Sequence, residues 1–241
     1  MSLIGALNAG QTGLATAQAA IQVTSNNIAN AGNADYTRQT AETAPLPDQQ
    51  ISQGIFVGTG VDLTSIQRQI DDALTARLRS SISDNQAAST TQQWLSQVQS
   101  VFNALGTSNL STSMSNFFSA WSNLANKPQD MGLRQVVISQ GQSLAQTFSS
   151  QVTQLQSLNT SASASMTQMA QNADNLASQV ASLNRQIVVA EGGSGGTANG
   201  LRDQRDAVLK QLSQLMNVTT VQQPDGAVDV YVGSEALVSN T

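Results

Sequence analysis

The sequence predicts a mainly α protein: an N-terminal amphipathic helix of coiled-coil type, an extended connector, a long antiparallel helix bundle and the beginning of a small β element. Three observations carry that prediction. Leu7, Leu14, Ile21 and Ile28 recur at a seven-residue spacing near the N-terminus. Apolar residues between Phe148 and Ile187 alternate in steps of four and three. After Pro224-Asp225-Gly226 the period changes to two, with Val228, Val230 and Val232 separated by Asp229 and Tyr231. Heptad-like spacing asks for partner helices, whereas strict alternation asks for a strand.

The first element spans residues 1–34 and contains no charged side chain. Between its apolar positions falls a second line, Leu3, Gly10, Ala17 and Thr24. Together they draw one narrow seam along a helix whose other faces are Ala, Gln, Thr and Asn. A helix facing water usually carries charge there. The segment is therefore expected to be surrounded by other chains, and poorly ordered until it is. Asn30 to Gly32 should end the helix, since Asn and Gly tolerate the conformation of a C-terminal cap.

Residues 35–62 hold Pro45, Pro47, Gly54, Gly58 and Gly60, with the short run Ile55-Phe56-Val57, and read as an extended connector with one or two short strands. A helical region, 63–216, is expected to begin near Leu63, where Ile66, Ile70, Leu74, Leu78 and Ile82 recur every four residues. The stripe resumes through Trp94, Leu95, Val98, Val101, Phe102 and Leu105 and breaks at Gly106–Ser108. A shorter helix carries Met114, Phe117, Phe118, Trp121 and Leu124 and ends before Pro128. The run from Phe148 through Leu155, Met166, Met169, Val180 and Leu183 to Ile187 makes a long helix of ~60 Å at 1.5 Å per residue. Leu63–Leu105 is its expected antiparallel partner. Met166, Met169, Trp94 and Trp121 fall on apolar stripes and are expected in the core. A last helix passes through Leu201, Val208, Leu209, Leu212 and Leu215, and residues 217–241 begin a β-hairpin.

Composition excludes more than it suggests. Of the 241 residues only 10% are charged, against roughly 25% in an ordinary soluble protein. The net charge is -5, and Lys occurs only at Lys127 and Lys210. Phosphate backbones need clustered cations, so nucleic acid is not an expected partner. Cys and His are both absent, which removes thiol nucleophiles, the commonest general base and the commonest metal ligand. No apolar run is long enough for a membrane span. The first basic residue is Arg38, so if the protein leaves the cytoplasm it is expected to do so by a route other than a cleaved signal peptide.

Few motifs invite chemistry. Gly192-Gly193-Ser194-Gly195-Gly196 lacks the Lys-Ser/Thr of a phosphate-binding loop and reads as a linker. Asp71-Asp72 and the pair Asp203 and Asp206 could bind a cation or do acid–base work; solvated helix faces or local ion pairs with Arg202 and Arg205 are the plainer reading. No catalytic, cofactor or metal site is expected. The unusual segment is Ser25-Asn26-Asn27-Ile28-Ala29-Asn30, followed by Tyr36-Thr37-Arg38-Gln39. So many Asn residues disfavour a helix interior, because Asn competes for local backbone hydrogen bonds.

That segment resembles the N-terminal signature of bacterial flagellar rod, hook and hook-associated axial proteins. Gly60-Val61-Asp62, Ile66-Gln67-Arg68-Gln69 and Leu78-Arg79 look like the family's entry to its first long helix. Phe117-Phe118, Arg134-Gln135 and Leu201-Arg202-Asp203-Gln204-Arg205-Asp206 resemble the hook–filament junction members in particular. The family loop carries Asn-Thr-x-Gly before the Tyr, where this chain has Asn33-Ala34-Asp35 before Tyr36. Family members are roughly twice this length and finish with a helix that pairs with the first, so the chain is expected to be a fragment or a truncated relative.

The resemblance implies a structural subunit, not an enzyme, that joins hook to filament after type III export. Its partners would be itself, the hook protein, a second junction protein, an export chaperone and the export apparatus. The assembly interface would carry Leu3, Leu7, Leu14, Ala17, Ile21 and Ile28. Asn26, Asn27, Ile28 and Asn30 would shape the helix end, and Tyr36 and Arg38 would fix the connector. A rod or hook subunit, a secreted fibre or adhesin, and a carboxylate-dependent glycan hydrolase remain as alternatives.

Overall fold

A computed structural model describes residues 3–102, 109–193 and 196–239. Helix α1 (Leu3–Ala29) leads into four strands: β1 (Gln39–Pro45), β2 (Gln49–Ser52), β3 (Ile55–Val57) and β4 (Val61–Arg68). Helices α2 (Asp72–Phe102), α3 (Leu110–Asn126), α4 (Met131–Glu191) and α5 (Asn199–Ser213) follow. The chain then forms β5 (Thr219–Gln222), β6 (Val228–Val232) and β7 (Glu235–Val238). The fold is mainly α, with one very long helix and small antiparallel sheets. Two compact units are distinguished, one of residues 1–84 with 173–241 and one of residues 85–172. The expected break at Gly106–Ser108, Leu105 beside it, and the middle of the glycine-rich linker lie outside the described residues.

In the first unit, β1 pairs antiparallel with β4 from Gln39–Arg68 to Pro45–Val61, with an irregularity between Glu42 and Thr43. β2 and β3 form a separate small hairpin. The helix expected from Leu63 therefore starts later: Leu63 and Ile66 belong to a strand, and α2 begins at Asp72. Ile66 and Ile70 fit a four-residue period by coincidence, and the strand pairing of Leu63 with Thr43 and of Ile66 with Ala41 overrides it. Asp71 caps the true start, its Oδ1 accepting the Leu74 N–H at 3.0 Å.

The core of this unit packs Ala173, Ala177 and Val180 of α4 against Leu209 and Leu212 of α5, against Val218 just before β5, and against Val228, Val230 and Val238 of the C-terminal sheet. Thus α5 and the sheet cover this stretch of the predicted seam, whereas Leu74 and Leu78 of α2, expected to cover it, are exposed. Sheet order is β5-β6-β7, all antiparallel. Gly226, at φ 87, makes the β5–β6 turn, with Asp225 Oδ1 accepting the Ala227 N–H at 3.0 Å. Asp229 is buried rather than solvent-facing, because Gln223 Nε2 donates to its carboxylate at 2.6 Å. Asn184 borders β6 as a strand would: its Nδ2 donates to Val228 O and its Oδ1 accepts the Val228 N–H.

In the second unit, Asn109 caps α3 by accepting the Thr112 N–H at 2.8 Å. Asp130 caps α4 through Gly132 and Leu133. Phe117 stacks edge-on to Phe118 and, with Met114, Leu144, Phe148 and Val152, lines an apolar groove between α3 and α4. Trp121 and Met166, expected in the core, are 58% and 71% exposed, while Trp94 and Met169 are half-buried. Helical period places a residue on a face; whether that face is covered depends on what else is present.

Candidate assembly interface

Helix α1 has two faces of opposite character. Leu3, Leu7, Leu14, Ile21 and Ile28 are between 67% and 88% exposed, and Ala17 lies among them, also exposed. The other face rests on β1 and β4. There the residues are small or polar: Gly5, Ala9, Thr12, Thr16, Ala19 and Ala20 are half-buried and Val23 is buried. Small side chains let the strands come close. Gly60, at φ 131, sits so near α1 that a β-carbon on it would strike Thr12 Oγ1 and lie 3.3 Å from Ala9 Cα. Thr12 Oγ1 also accepts the Val61 N–H at 3.4 Å.

The predicted stripe is thus the face turned outward. Each such side chain contributes about 1.5–3 kcal/mol on full burial. Association costs about 4–15 kcal/mol, so several must be covered together for docking to be stable.

The end of α1 is held by a polar knot. Asn27 Nδ2 donates to Gln39 O at 2.8 Å, while its Oδ1 accepts both the Gln39 N–H and the Tyr36 hydroxyl, each at 2.9 Å. A side-chain amide presents donor and acceptor side by side, so it pairs with one backbone residue as a strand would. Asn30 acts more locally, its Nδ2 donating to Asn26 O at 2.9 Å. The Asn26 side chain is exposed and contributes its carbonyl. The loop without the family's glycine turns on Asn33: its Oδ1 accepts the Asp35 N–H and its carbonyl the Tyr36 N–H.

The knot is anchored in turn to α5. Arg68 Nη1 lies 2.9 Å from Asp203 Oδ1 and 2.7 Å from Asp206 Oδ2, with the Arg68 and Asp203 side chains only 7% and 9% exposed. Asp203 Oδ2 also accepts the Thr37 N–H at 3.3 Å. Thr197 and Asn199 both donate to Ile66 O. Burial, and then the nearby Asp203 carboxylate, raise the Tyr36 phenol above its ordinary 10.0, which keeps the hydroxyl protonated as a donor to Asn27. Lys210 approaches Asp35 at 3.6 Å, but both are well exposed and the pair adds little.

The structure brings Asn27 and Tyr36 together as one device and leaves the apolar stripe apart from it, on the outer face. Arg38 differs from expectation. Its side chain is exposed, and what it gives the connector is its carbonyl, which accepts the Gln69 N–H at 2.8 Å. The guanidinium that ties the connector down is Arg68. Asp203 and Asp206 are not on a solvated face, and their partner is distant in sequence rather than Arg202 or Arg205. Arg202 instead pairs with Glu191 at 2.7 Å. Arg68, Asp203 and Asp206 all lie in segments that carried the family resemblance, and Asp203 and Asp206 also stood out as an acidic pair, but nothing in the sequence joined them to Arg68.

Residues 95–241 match the helical domain of the flagellar hook-associated protein FlgK. Flagellar hook-associated protein 1 of Escherichia coli (strain K12) is 30% identical over 229 residues, covering 95% of this chain and 42% of that protein. The protein of the same name in Bacillus subtilis (strain 168) is 30% identical over 241 residues, covering 97% and 47%. The solved structure of the flagellar hook junction protein FlgK from Burkholderia pseudomallei superimposes with a TM-score of 0.60 at 29% identity, covering 68% of this chain and 29% of that one. The chain spans less than half the length of these curated relatives. On the extent of these matches, the chain belongs to the flagellar hook-associated protein FlgK family.

Proposed function

We propose that the chain is a structural subunit of the bacterial flagellum that joins hook to filament, and that α1 is its assembly helix. The observation that carries this reading is the division of α1 into a docked face of small residues and an outer stripe of Leu3, Leu7, Leu14, Ile21 and Ile28. In this reading the stripe packs on helices of neighbouring axial subunits, including further copies of this chain, the hook protein and the second junction protein. The Asn27 knot and the Arg68 ion pairs set the angle at which α1 leaves the rest of the unit. Export in an extended state through the type III apparatus, with a chaperone, and order gained on assembly belong to the same proposal.

The junction role is favoured over a rod or hook subunit by the FlgK helical-domain match across residues 95–241. A carboxylate hydrolase is disfavoured because Asp203 and Asp206, its best acidic pair, are both engaged by Arg68. Isolated hooks mixed with the gold-labelled chain and viewed by electron microscopy test the role. Label confined to the distal tip is expected, and label along the hook would overturn the junction assignment. Leu14→Asp and Ile21→Asp should each abolish tip binding while shifting stability by less than about 0.5 kcal/mol, since both side chains are exposed. Unimpaired docking by both variants would remove the stripe from the interface.

A further inference from the structure

A polar cavity of about 330 Å³ lies in the first unit, beside the first turns of α2 and against α5, β5 and β6. Three guanidinium-bearing side chains line it, Arg68, Arg79 and Arg205, together with the carboxylates of Asp72 and Asp206. Their pairing is uneven. Arg68 is engaged by Asp203 and Asp206, and Asp72 Oδ1 accepts from Gln222 Nε2 at 3.2 Å. Arg79 and Arg205 hydrogen-bond only to neutral groups, with Asp206 acting on both through space and no carboxylate in contact: Arg79 Nη2 donates to Thr220 Oγ1 at 2.8 Å, and Arg205 Nη1 to Asn184 Oδ1 and Gly226 O.

Both arginines are more than nine-tenths buried, at 8% and 1% exposed, and the Nε–H of each has no acceptor. Burial lowers the affinity of both for their protons, that of Arg205 to about 10, and outweighs the opposing attraction of Asp206. Buried cations are ordinarily paired, and an unpaired donor in such a place is costly.

We propose that this cavity binds a small inorganic anion that supplies a directly contacting counter-charge to Arg79 and Arg205. The positive end of α2 borders the same space, since Asp72, Thr75 and Ala76 of its first turn line it. No aromatic ring is among the lining residues, so an organic ligand would find no stacking surface. A liquid water occupies ~30 Å³, so the space admits an ion of chloride or phosphate size with part of its hydration shell. The bound anion ties the start of α2 to α5 and to β5, all of which contribute side chains to the cavity.

Chloride NMR line broadening tests the site, with the whole chain titrated into sodium chloride and inorganic phosphate added as competitor. Saturable excess broadening that phosphate removes is expected for the unaltered chain. Arg79→Met should weaken chloride binding by roughly tenfold or more, the usual effect of losing a charge-assisted hydrogen bond. Thr220→Asp, which places a carboxylate beside Arg79, should abolish the broadening without lowering the melting temperature. If Arg79→Met fails to fold by circular dichroism, Thr220→Asp decides. Absence of protein-dependent broadening in the unaltered chain, equal broadening in the folded variants, or broadening that phosphate leaves untouched marks an adventitious ion only and overturns the proposal.

Discussion

Replacing Asn27 by Ala removes the three hydrogen bonds that fasten the end of α1 to β1 and to Tyr36. The two bonds to Gln39 and the one from Tyr36 are 2.8–2.9 Å long and half-buried. Each contributes about 0.5–1.5 kcal/mol net, and the groups left behind can regain water because the site is not sealed. The loss should therefore be about 2 kcal/mol, near the lower half of the summed range. At 1.36 kcal/mol per tenfold change, that corresponds to a roughly 30-fold drop in local protection. Native-state hydrogen exchange reads it residue by residue: the Gln39 amide and the last turns of α1 should exchange about 30-fold faster. The amides of β6 should be unchanged, because the Asn184 pairing and the valine core that hold them are elsewhere. Tyr36→Phe should show about a third of the effect, and the double variant should be less than additive. Unaltered Gln39 exchange in Asn27→Ala, or equal losses in β6, would refute the view of Asn27 as a local fastener.

Arg68→Met leaves Asp203 buried and Asp206 half-buried without their cation, and should destabilise the first unit by about 3–5 kcal/mol in urea unfolding, the usual cost of breaking a buried pair. Arg38→Met, exposed and with only its backbone engaged, should cost less than about 0.5 kcal/mol in the same experiment. Glu191 is held below its ordinary carboxylate range first by the hydrogen bond from Arg202, against the opposing effect of burial. Its folded pKa is depressed, so the stabilisation is fully present above the ordinary value of 4.5 and is lost as pH falls through the lowered one. Glu191→Gln should accordingly melt below the parent chain at neutral pH, with the gap closing in acid; a gap independent of pH would show that packing, not charge, is lost.

The sequence by itself determined that the chain is mainly helical and which residues of α1 share one apolar stripe. Periods of seven and of alternating four and three are properties of local geometry, and neither needs a partner to be read. The absence of charge across residues 1–34 is likewise read without any tertiary contact. Tertiary structure alone decided which stripes are covered. The seam from Ala173 to Ile187 is buried because α5 and β6 happen to meet it, while the same seam at Met166 stays exposed. It also decided that Val61–Arg68 is a strand, since the energy of β4 lies in pairing with Gln39–Pro45 and not in its own residues. The ion pairs of Arg68 join positions 135 and 138 residues apart, and no spacing rule reaches that far. Local periodicity fixes which side of an element is apolar; only long-range packing fixes what, within one chain or between chains, that side meets.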